Sequence, residues 1–529
     1  MTKRSLAAAF LSMALLASSP ARAEDAFEFF REEAAAVTVA SSKPETVFNS
    51  ISNVTVIDRE MIERYNYESV SDALNTVAGV MVWRTYVMQH VPTFRGALQE
   101  HYANKVLVMI NNVPAWHAVT GEGDIDRVGI DSVERIEILR GPASVLYGSN
   151  ALNGAINIVL RQAPKDSRLA EAHAGLASGH GGYSGSAEVS RAAGLYARDK
   201  AGSRLFVSAD YSSWRKPHFR FTDESNTTFE LRDYFSVKNL NASWSRGDHS
   251  LLANVSNSVQ NNLGNNISLA SGAQNPHEKE LALLNYTYSF GPDWTNLKYS
   301  ATFDRQRRQI PRDAGDSLRS DILGTRYVND LSANLPLTDA LGLELGGKHE
   351  YLAAERYNNF VSTSQSVVAD NKMDDRLIWT GSLFAQLAYG AGPWKLALGT
   401  RFTHNSISGD DFSSRFSAVY VLNDRNSLKF MAGQSFRAPT PFELYFQNTP
   451  VTVLGNPDLK PEKTSSVELS YLTSWEKIFA QLTVYYEDYI DAVHRDLGNF
   501  TRDGVAYANV NFYKNSTRYN AKGAEAELR

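Results

Sequence analysis

The chain contains no cysteine. Without thiols, neither disulfide bonds nor thiolate metal sites can hold the fold. Long apolar runs are also missing, since beyond the N-terminal leader no stretch approaches the ~20 residues that a transmembrane helix needs. Positive charge is not in excess either: 53 lysines and arginines face 58 acidic residues, and the net charge is −5. This balance argues against nucleic acid as a partner.

The N-terminus carries an export signal. Two basic residues, Lys3 and Arg4, precede a largely apolar run that ends at Leu16, and an Ala-Arg-Ala sequence follows. A charged start, a short apolar core and an Ala-x-Ala site together predict a secretory signal peptide over residues 1–23. The alternative is a buried N-terminal helix. A signal peptide directs the mature protein out of the cytoplasm.

A compact mixed domain is predicted for residues 53–164. Asp58 can cap a helix that begins near Arg59. A second helix is predicted from Ser69 to Val77, with Gly79 as its C-terminal cap. The expected strands are Val54–Asp58, Lys105–Pro114, Val133–Leu139 and Ile156–Leu160.

The remaining residues, 165–529, show the two-residue alternation of β-strands. Apolar and polar positions alternate over segments of ~8–12 residues, as in antiparallel strands with one lipid-facing side. In one segment Leu205 and Val207 share a face, while Ser208 and Asp210 share the other. A soluble β-sandwich would also alternate. Long polar connections that alternate with short turns favour a transmembrane barrel.

Five stretches carry a family resemblance. They are SVSDALNTVAGVMV (Ser69–Val82), TFRGA (Thr93–Ala97), KVLVMINNVP (Lys105–Pro114), VERIEILRGPASVLYGSNALNGAINIVL (Val133–Leu160), and FRAPTPFELY with LGNPDLKPEKTSSVELSY inside Phe436–Tyr471. Together they resemble the TonB-dependent outer-membrane receptors. One departure is Asn111-Asn112, where the family more often has Asp-Gly.

The resemblance implies a transmembrane antiparallel β-barrel with an N-terminal α+β plug domain inside the lumen. The segment 24–52 would be periplasmic, 53–164 the plug and 165–529 the barrel. Family barrels have about twenty-two strands, whereas 165–529 has room for roughly 15–17. The barrel is therefore expected to be incomplete in this chain, with its C-terminal strands missing and its first and last strands unable to pair. An unusually small barrel is the alternative.

In the family, two Arg-Gly elements of the plug pair with glutamates that project inward from barrel strands. Arginine offers a rigid, permanently charged fork for carboxylates, and glycine lets backbones approach closely. By resemblance, the corresponding residues here are Arg95, Arg140, Glu468 and Glu525. Strand alternation agrees, because it places Glu468 on the opposite face from Val467. The alternative is that these are ordinary solvated charges.

An energy-coupling segment is expected between the leader and the plug. The sequence EAAAVTVA (Glu33–Ala40) is similar to the family's TonB box. The predicted box residues are Glu33, Ala36, Val37, Thr38 and Val39. An extended segment of this kind can add as a strand to the sheet edge of a periplasmic partner. The alternative is a featureless linker.

Three loops supply candidate ligand contacts. Exposed aromatic residues on loops are often functional, and clustered arginines attract anionic chelates. The candidates are Trp83, Tyr86 and His90 in the first plug loop, Trp116 and His117 in the second, and Arg307 and Arg308 in a barrel loop expected over 304–319. Packing within the loops is the alternative for the aromatics. Lipopolysaccharide phosphates are the alternative ligand for the arginines.

The function implied by the resemblance is TonB-dependent uptake of a scarce nutrient across the bacterial outer membrane. A ferric siderophore is the expected ligand and cobalamin the alternative. Haem is disfavoured because no histidine lies between Arg437 and Asn456. The implied partners are TonB with its inner-membrane energising complex, and outer-membrane lipid with lipopolysaccharide. We expect a monomer with no bound metal or cofactor.

Two other classes of protein fit the sequence less well. A passive outer-membrane porin or adhesin would lack the plug signature around Arg140. A secreted enzyme would need a catalytic constellation, and the sequence contains no G-x-S-x-G elbow, no H-E-x-x-H and no EF-hand loop. The protein is therefore predicted not to be an enzyme.

Overall fold

A computed structural model describes most of the chain from Ser50 onward. The described residues are 50–85, 90–97, 102–180, 186–215, 219–222, 228–231, 234–261, 276–292, 295–311, 318–361, 367–448, 451, 453–475 and 478–529. They form a small mixed domain, the plug, and a large antiparallel sheet that surrounds it. The predicted fold class, a plug inside a β-barrel, is confirmed.

The described part of the plug contains three short α-helices. Helices α1 (Arg59–Arg64), α2 (Val70–Leu74) and α3 (Ser144–Tyr147) lie in the plug. The Asp58 side chain caps α1 by accepting from the Met61 N–H at 2.8 Å. Among the described residues, no helix combines the length and apolar character needed to cross a membrane.

Helix α2 is shorter than predicted. It ends at Leu74 rather than Val77, because the Val77 N–H returns to the Leu74 carbonyl, a tighter bond than that of an α-helix. Gly79 is therefore not its C-terminal cap. This glycine has a φ of +74° and lies in the turn that leads to the next strand. At the barrel wall, Gly79 faces the carboxylate of Glu525.

The plug sheet has five strands in the order β1-β6-β7-β4-β5, and a separate hairpin joins β2 to β3. The plug strands are β1 (Val54–Asp58), β2 (Val80–Trp83), β3 (Val91–Phe94), β4 (Val106–Ile110), β5 (Val113–Pro114), β6 (Val133–Arg140) and β7 (Gly154–Leu160). The predicted strand Lys105–Pro114 is a hairpin instead. Asn111 and Asn112 both have positive φ, +48° and +64°, which reverses the chain between β4 and β5.

The barrel sheet contains eighteen strands in one closed order, and sixteen of them have at least twelve residues. The strands after the plug are β8 (Arg168–His180), β9 (Ser186–Lys200), β10 (Ser203–Arg215), β11 (Phe219–Thr222), β12 (Thr228–Leu231), β13 (Tyr234–Arg246), β14 (His249–Asn261), β15 (Pro276–Phe290), β16 (Asn296–Pro311), β17 (Leu318–Pro336), β18 (Leu341–Val361), β19 (Val367–Met373), β20 (Arg376–Ala391), β21 (Trp394–Asn405), β22 (Gly409–Asn423), β23 (Asn426–Arg437), β24 (Val453–Leu454), β25 (Glu462–Trp475), β26 (Ile478–Arg502) and β27 (Val505–Leu528). Strands β11 and β12 form a separate pair outside the barrel sheet.

Side chains of the barrel strands alternate as predicted. On β10, Leu205 and Tyr211 are exposed on the outer face, whereas Ser208 and Asp210 are buried against the plug side. Residue-by-residue antiparallel registers link successive long strands from β8 round to β27. The strand order also returns from β27 to β8, although no residue-by-residue register among the described residues links these two strands. The expectation that strands are missing from this chain stays a prediction.

Candidate functional site

The plug meets the barrel wall at Arg95, which follows strand β3. Its backbone has a φ of +52°, in the left-handed region, and its N–H donates to the Gly79 carbonyl at 2.8 Å. The guanidinium is buried and contacts carboxylates on three sides. Nη1 lies 2.9 Å from Glu468 Oε1 and 2.7 Å from Glu487 Oε1, and Nε lies 3.0 Å from Glu525 Oε1.

The three glutamates come from neighbouring strands, so the sheet register brings them together. Glu468 on β25 is opposite Tyr485 on β26, and Glu525 on β27 is opposite Thr483 on β26. Their outward neighbours are apolar, as Val467 is 48 % exposed while Glu468 is 3 % exposed. The Arg95 guanidinium also stacks 4.1 Å above the Tyr485 ring. A planar cation with five donors suits such a converging set.

This environment fixes the charge of Arg95. Burial alone would lower the pKa of the guanidinium, but attraction by Glu468, Glu487 and Glu525 outweighs burial and holds that pKa well above its usual value. Arg95 therefore stays a cation, and removing it would leave three carboxylates facing one another in a buried site.

The second predicted arginine, Arg140, ends strand β6 and lies beside the same cluster. Its Nη1 donates to the Ala78 carbonyl at 2.7 Å and lies 3.2 Å from Glu525 Oε2. Its Nη2 donates to Thr55 Oγ1 at 2.7 Å and lies 3.7 Å from Glu527 Oε2. Glu525 is thus ion-paired with both Arg95 and Arg140. We call Arg95, Arg140, Glu468, Glu487 and Glu525 the clamp cluster.

Two glycines give the wall carboxylates room to reach the plug. A Cβ added to Gly79 would collide with Glu525 Oε1, and a Cβ added to Gly141 would collide with Glu468 Oε1. Both glycines also have positive φ, +74° and +88°. The glycine in the Arg140-Gly141 element therefore serves close approach as well as a backbone turn.

The chain enters the plug through the clamp cluster. Asn53 Nδ2 donates to Glu468 Oε2 at 2.6 Å, and Asn53 Oδ1 accepts from Ser470 Oγ at 2.9 Å. The Arg140 N–H donates to the Asn53 carbonyl at 3.3 Å. Asn53 is thus bonded directly to the carboxylate that holds Arg95.

A second charged network connects the barrel signature to the plug. Arg437 is buried and donates to both Glu443 oxygens at 2.8 and 2.9 Å and to Glu462 at 2.8 Å. Glu443 lies in helix α4 (Pro441–Tyr445), which Thr440 caps with a capping box. Lys105 of the plug reaches Glu462 at 3.0 Å. The FRAPTPFELY and KPEK motifs therefore meet around one guanidinium.

The four residues assigned by resemblance, Arg95, Arg140, Glu468 and Glu525, come together in the structure. Sequence reasoning missed Glu487 and Asn53. Glu487 had a usable signal, since it shares the inward parity of Gln481 and Thr483 on β26. Asn53 had none, because its role depends on where the chain enters the barrel.

The first group of predicted ligand residues is only partly described. Trp83 ends β2 and is 37 % exposed. His90 is partly exposed and its Nδ1 lies 2.7 Å from Asp126 Oδ1. Tyr86 and the predicted TonB box residues Glu33, Ala36, Val37, Thr38 and Val39 lie outside the described residues.

The other predicted ligand residues differ from expectation in their exposure. Trp116 and His117 are buried rather than exposed, because the second plug loop packs against the wall and Arg326 stacks 4.0 Å from the Trp116 ring. Arg307 and Arg308 lie on strand β16 rather than in a loop. Arg307 pairs with Asp321 at 2.8 Å, and buried Arg308 pairs with Glu122.

His117 is held in its neutral form. Burial is the main cause, and the nearby cations Arg308, Lys279 and Arg127 add to it, so the pKa of the imidazole lies well below its usual value. Its Nδ1 accepts from the Val119 N–H at 3.1 Å. A proton on this ring would have to enter a buried, positively charged neighbourhood.

Comparison with known proteins covers both domains. The family model for the TonB-dependent receptor plug domain matches residues 46–155, and the model for the TonB-dependent receptor-like β-barrel matches residues 213–529. The vitamin B12 transporter BtuB of Photobacterium profundum is 27 % identical over 460 residues, which are 85 % of this chain and 69 % of that protein. The iron-regulated outer membrane virulence protein of Vibrio cholerae is 25 % identical over 509 residues, 92 % of this chain and 72 % of that protein.

Solved structures share the fold. The ferric enterobactin receptor of Pseudomonas aeruginosa, a mutant in complex with enterobactin, superposes with a TM-score of 0.72 at 19 % identity and covers 89 % of this chain and 78 % of that one. The hemophore receptor HasR of Serratia marcescens superposes with a TM-score of 0.68 at 13 % identity and covers 91 % and 80 %. At these identities the likeness concerns architecture alone.

Proposed function

This chain belongs to the TonB-dependent receptors, which are β-barrels of the bacterial outer membrane, and we propose that it imports a ferric siderophore with energy relayed by TonB. The observation that carries this proposal is the clamp cluster. A plug held to the wall by two arginines and three carboxylates is stable at rest. All of these contacts are ionic or polar, so displacement of one element can break them together.

The need for energy follows from rates. Capture of a scarce ligand requires a Kd of about 1 nM, and with association near 10⁶ M⁻¹s⁻¹ spontaneous release takes roughly a quarter of an hour. Passive release is too slow for nutrition. A receptor of this affinity therefore needs an external force that opens its site.

The proposed route of that force starts in the segment 24–52. Residues Glu33 to Val39 would add as a strand to TonB, and the pull would reach the plug, 53–164, at Asn53. Support comes from the Asn53 contact with Glu468, which also holds Arg95. The barrel would comprise residues 165–529.

The ligand is proposed from chemistry and relatives together. The alignment with the iron-regulated relative covers 92 % of this chain. Arg307 on β16 is partly exposed and would contact an anionic ferric chelate from its pair with Asp321. Trp83 and His90 are the proposed plug contacts. Cobalamin is the second candidate, because the BtuB relative is 27 % identical.

Binding and growth test the proposal in parallel. The folded protein is titrated with ferric siderophores, cobalamin and haem, and a deletion strain is grown on each as sole source of iron or vitamin. We expect nanomolar binding of a ferric siderophore and loss of growth on that compound alone. Binding of cobalamin alone would replace the ligand assignment. A general change in permeability without a nutrient defect would contradict transport.

A matched pair of variants tests the TonB box. Val37→Pro should abolish transport and leave ligand affinity unchanged, because proline removes a backbone donor from the added strand. Ser41→Pro, outside the predicted box, is the control and should transport normally. Equal transport by both variants would contradict the assignment of the box.

A further inference from the structure

A small cavity lies between the plug and the barrel wall, apart from the clamp cluster. Its volume is about 40 Å³. A single water needs roughly 10–15 Å³ by the same measure, so the cavity has room for a few waters or one small ion. Plug residues Gly148–Asn150 close one side, and strands β18, β20 and β21 form the other.

The wall of this cavity contains a buried cation, Arg401. Arg401 is 2 % exposed. Its Nη1 donates to the Val145 and Leu146 carbonyls at 3.3 Å, and its Nη2 donates to Ser382 Oγ at 2.6 Å. Its Nε has no partner, and among the described residues no carboxylate is ion-paired with it. An uncompensated buried charge is costly.

A second cation in the cavity is also poorly compensated. Lys348 Nζ lies 3.8 Å from Glu350 Oε2, beyond hydrogen-bond distance. The other oxygen of Glu350 is taken by Arg326, at 2.8 Å from Nη2 and 3.1 Å from Nε. Of the charged residues that line the cavity, two are cations and one, Glu350, is an anion. The lining therefore carries one excess positive charge.

A hydroxyl group adds a third hydrogen-bond donor to Arg401 and Lys348 in the cavity wall. Thr403 is 3 % exposed, lines the cavity on β21 two residues beyond Arg401, and its Oγ1 has no hydrogen-bond partner. Its side chain points to the same face of the strand as Arg401. The cavity thus presents an ammonium, a guanidinium edge and a free hydroxyl, which are three donors suited to an anion.

We propose that this cavity binds one small monoanion, of the size of chloride or formate, held by Lys348, Arg401 and Thr403 beneath the plug loop Gly148–Asn150. A siderophore is excluded by size. This anion site is separate from the proposed nutrient site, and the proposal does not depend on which nutrient is imported. Because plug residues cover the anion site, a bound anion joins the plug to the wall at a third place, besides the clamp cluster and the network around Arg437.

Bromide is the probe. Crystals of the full-length mature protein are soaked in bromide and the anomalous signal is measured. In solution, the melting temperature is followed from 5 to 300 mM chloride, with gluconate keeping ionic strength constant. We expect a bromide peak in the cavity and a melting temperature that rises with chloride. A signal in crystals without chloride-specific stabilisation in solution would mean binding at crystal concentration only and would overturn the proposal.

Two threonines give a matched comparison. Thr403→Val removes the free hydroxyl of the site, and Thr464→Val removes another buried, unpartnered hydroxyl on β25 outside the cavity. In Thr403→Val we expect the chloride affinity, measured from the melting temperature, to be roughly tenfold weaker, because one hydrogen bond to the ion is lost. In Thr464→Val we expect no change. Lys348→Met should abolish the bromide peak. Equal chloride dependence in wild type and all three variants would refute the site.

Discussion

Arg95 shows how much of this interface depends on single side chains. The residue adopts a left-handed backbone, with φ of +52°, that costs an arginine of order 1–3 kcal/mol. The surrounding contacts offset that strain: three carboxylates, the Tyr485 ring and the Gly79 carbonyl. Replacing Arg95 should therefore lower the stability of the whole plug–wall interface.

Arg95→Ala is expected to destabilise the seated plug by about 3–5 kcal/mol, because buried Glu468 and Glu487 lose their ion-pair partner and Glu525 keeps only Arg140. Arg95→Lys should recover only part of this, since an ammonium cannot reproduce the five donors of the fork. Hydrogen exchange of plug amides in urea measures the change. Arg64→Ala is the control, as Arg64 forms an exposed pair with Glu60. A loss below about 1 kcal/mol, the range of exposed pairs, would contradict the clamp.

Two glycines of the plug, Gly79 and Gly96, separate the effect of close approach from that of backbone strain. Gly79 and Gly96 have nearly equal φ, +74° and +70°, but only Gly79 faces a wall carboxylate, while a Cβ on Gly96 meets nothing within 4 Å. Gly96→Ala should cost about 1–2 kcal/mol from backbone strain alone. Gly79→Ala should cost clearly more, because its methyl group displaces Glu525. Equal losses in the same exchange measurement would mean that close approach is unimportant.

His117 predicts a dependence on pH. Its pKa is lowered in the folded protein, so the folded state binds fewer protons than the unfolded state. Stability is full above the ordinary imidazole pKa of about 6.5 and falls as the pH decreases below it, by up to about 1.4 kcal/mol per pH unit. His117→Asn keeps an acceptor for the Val119 N–H and should flatten the slope between pH 7 and 5. An unchanged slope would contradict a neutral buried His117.

Regular elements were predictable because their signals are local. The cap at Asp58 fixed the start of α1, and alternation around Val467 fixed which face of β25 turns inward. What the sequence could not provide was contact across the plug–wall boundary. The burial of Trp116 depends on Arg326, more than two hundred residues away. The hairpin at Asn111 and Asn112 was missed because apolar residues flank the two asparagines on both sides, although asparagine is a common turn residue.

Strand β1 is the element best placed to respond to a pull. It lies at the edge of the plug sheet, and among the described strands it pairs with β6 alone. Its first residue, Val54, follows Asn53, which contacts Glu468 of the clamp cluster. Tension from the N-terminus would separate β1 from β6 one pair at a time. Fastening the two strands should therefore block transport without affecting capture.

A disulfide tests this directly, because the chain has no cysteine of its own. Ile57 and Ile136 face each other across β1 and β6, and Ile136 and Ile158 face each other across β6 and β7. Ile57→Cys with Ile136→Cys should stop uptake until a reductant is added. Ile136→Cys with Ile158→Cys should permit uptake. Transport through the oxidised first pair would show that β1 need not separate.

The molecule as a whole works as a barrel occupied by a separate domain. Barrels of sixteen to eighteen strands leave an aqueous channel unless something fills it. Here the plug fills it and is fixed by ionic contacts at the clamp cluster and around Arg437. Weakening the contacts should therefore change permeability as well as stability.

Cells that carry Arg95→Ala together with Arg140→Ala should become more sensitive to vancomycin, which ordinary porins exclude, because a loosened plug exposes the channel. Minimum inhibitory concentrations measure this, with Arg64→Ala as the control and barrel abundance checked by immunoblot. Unchanged sensitivity at equal abundance would show that the plug remains seated without its arginines.

The two glycines that admit wall carboxylates also restrict how receptors of this kind can diversify. Because Gly79 and Gly141 accept Glu525 and Glu468 with no spare room, a larger residue on one partner requires a shorter one on the other. A plug transplanted into a foreign barrel would seat only where both surfaces had kept this correspondence. We therefore expect the plug and the barrel to evolve together at these contacts.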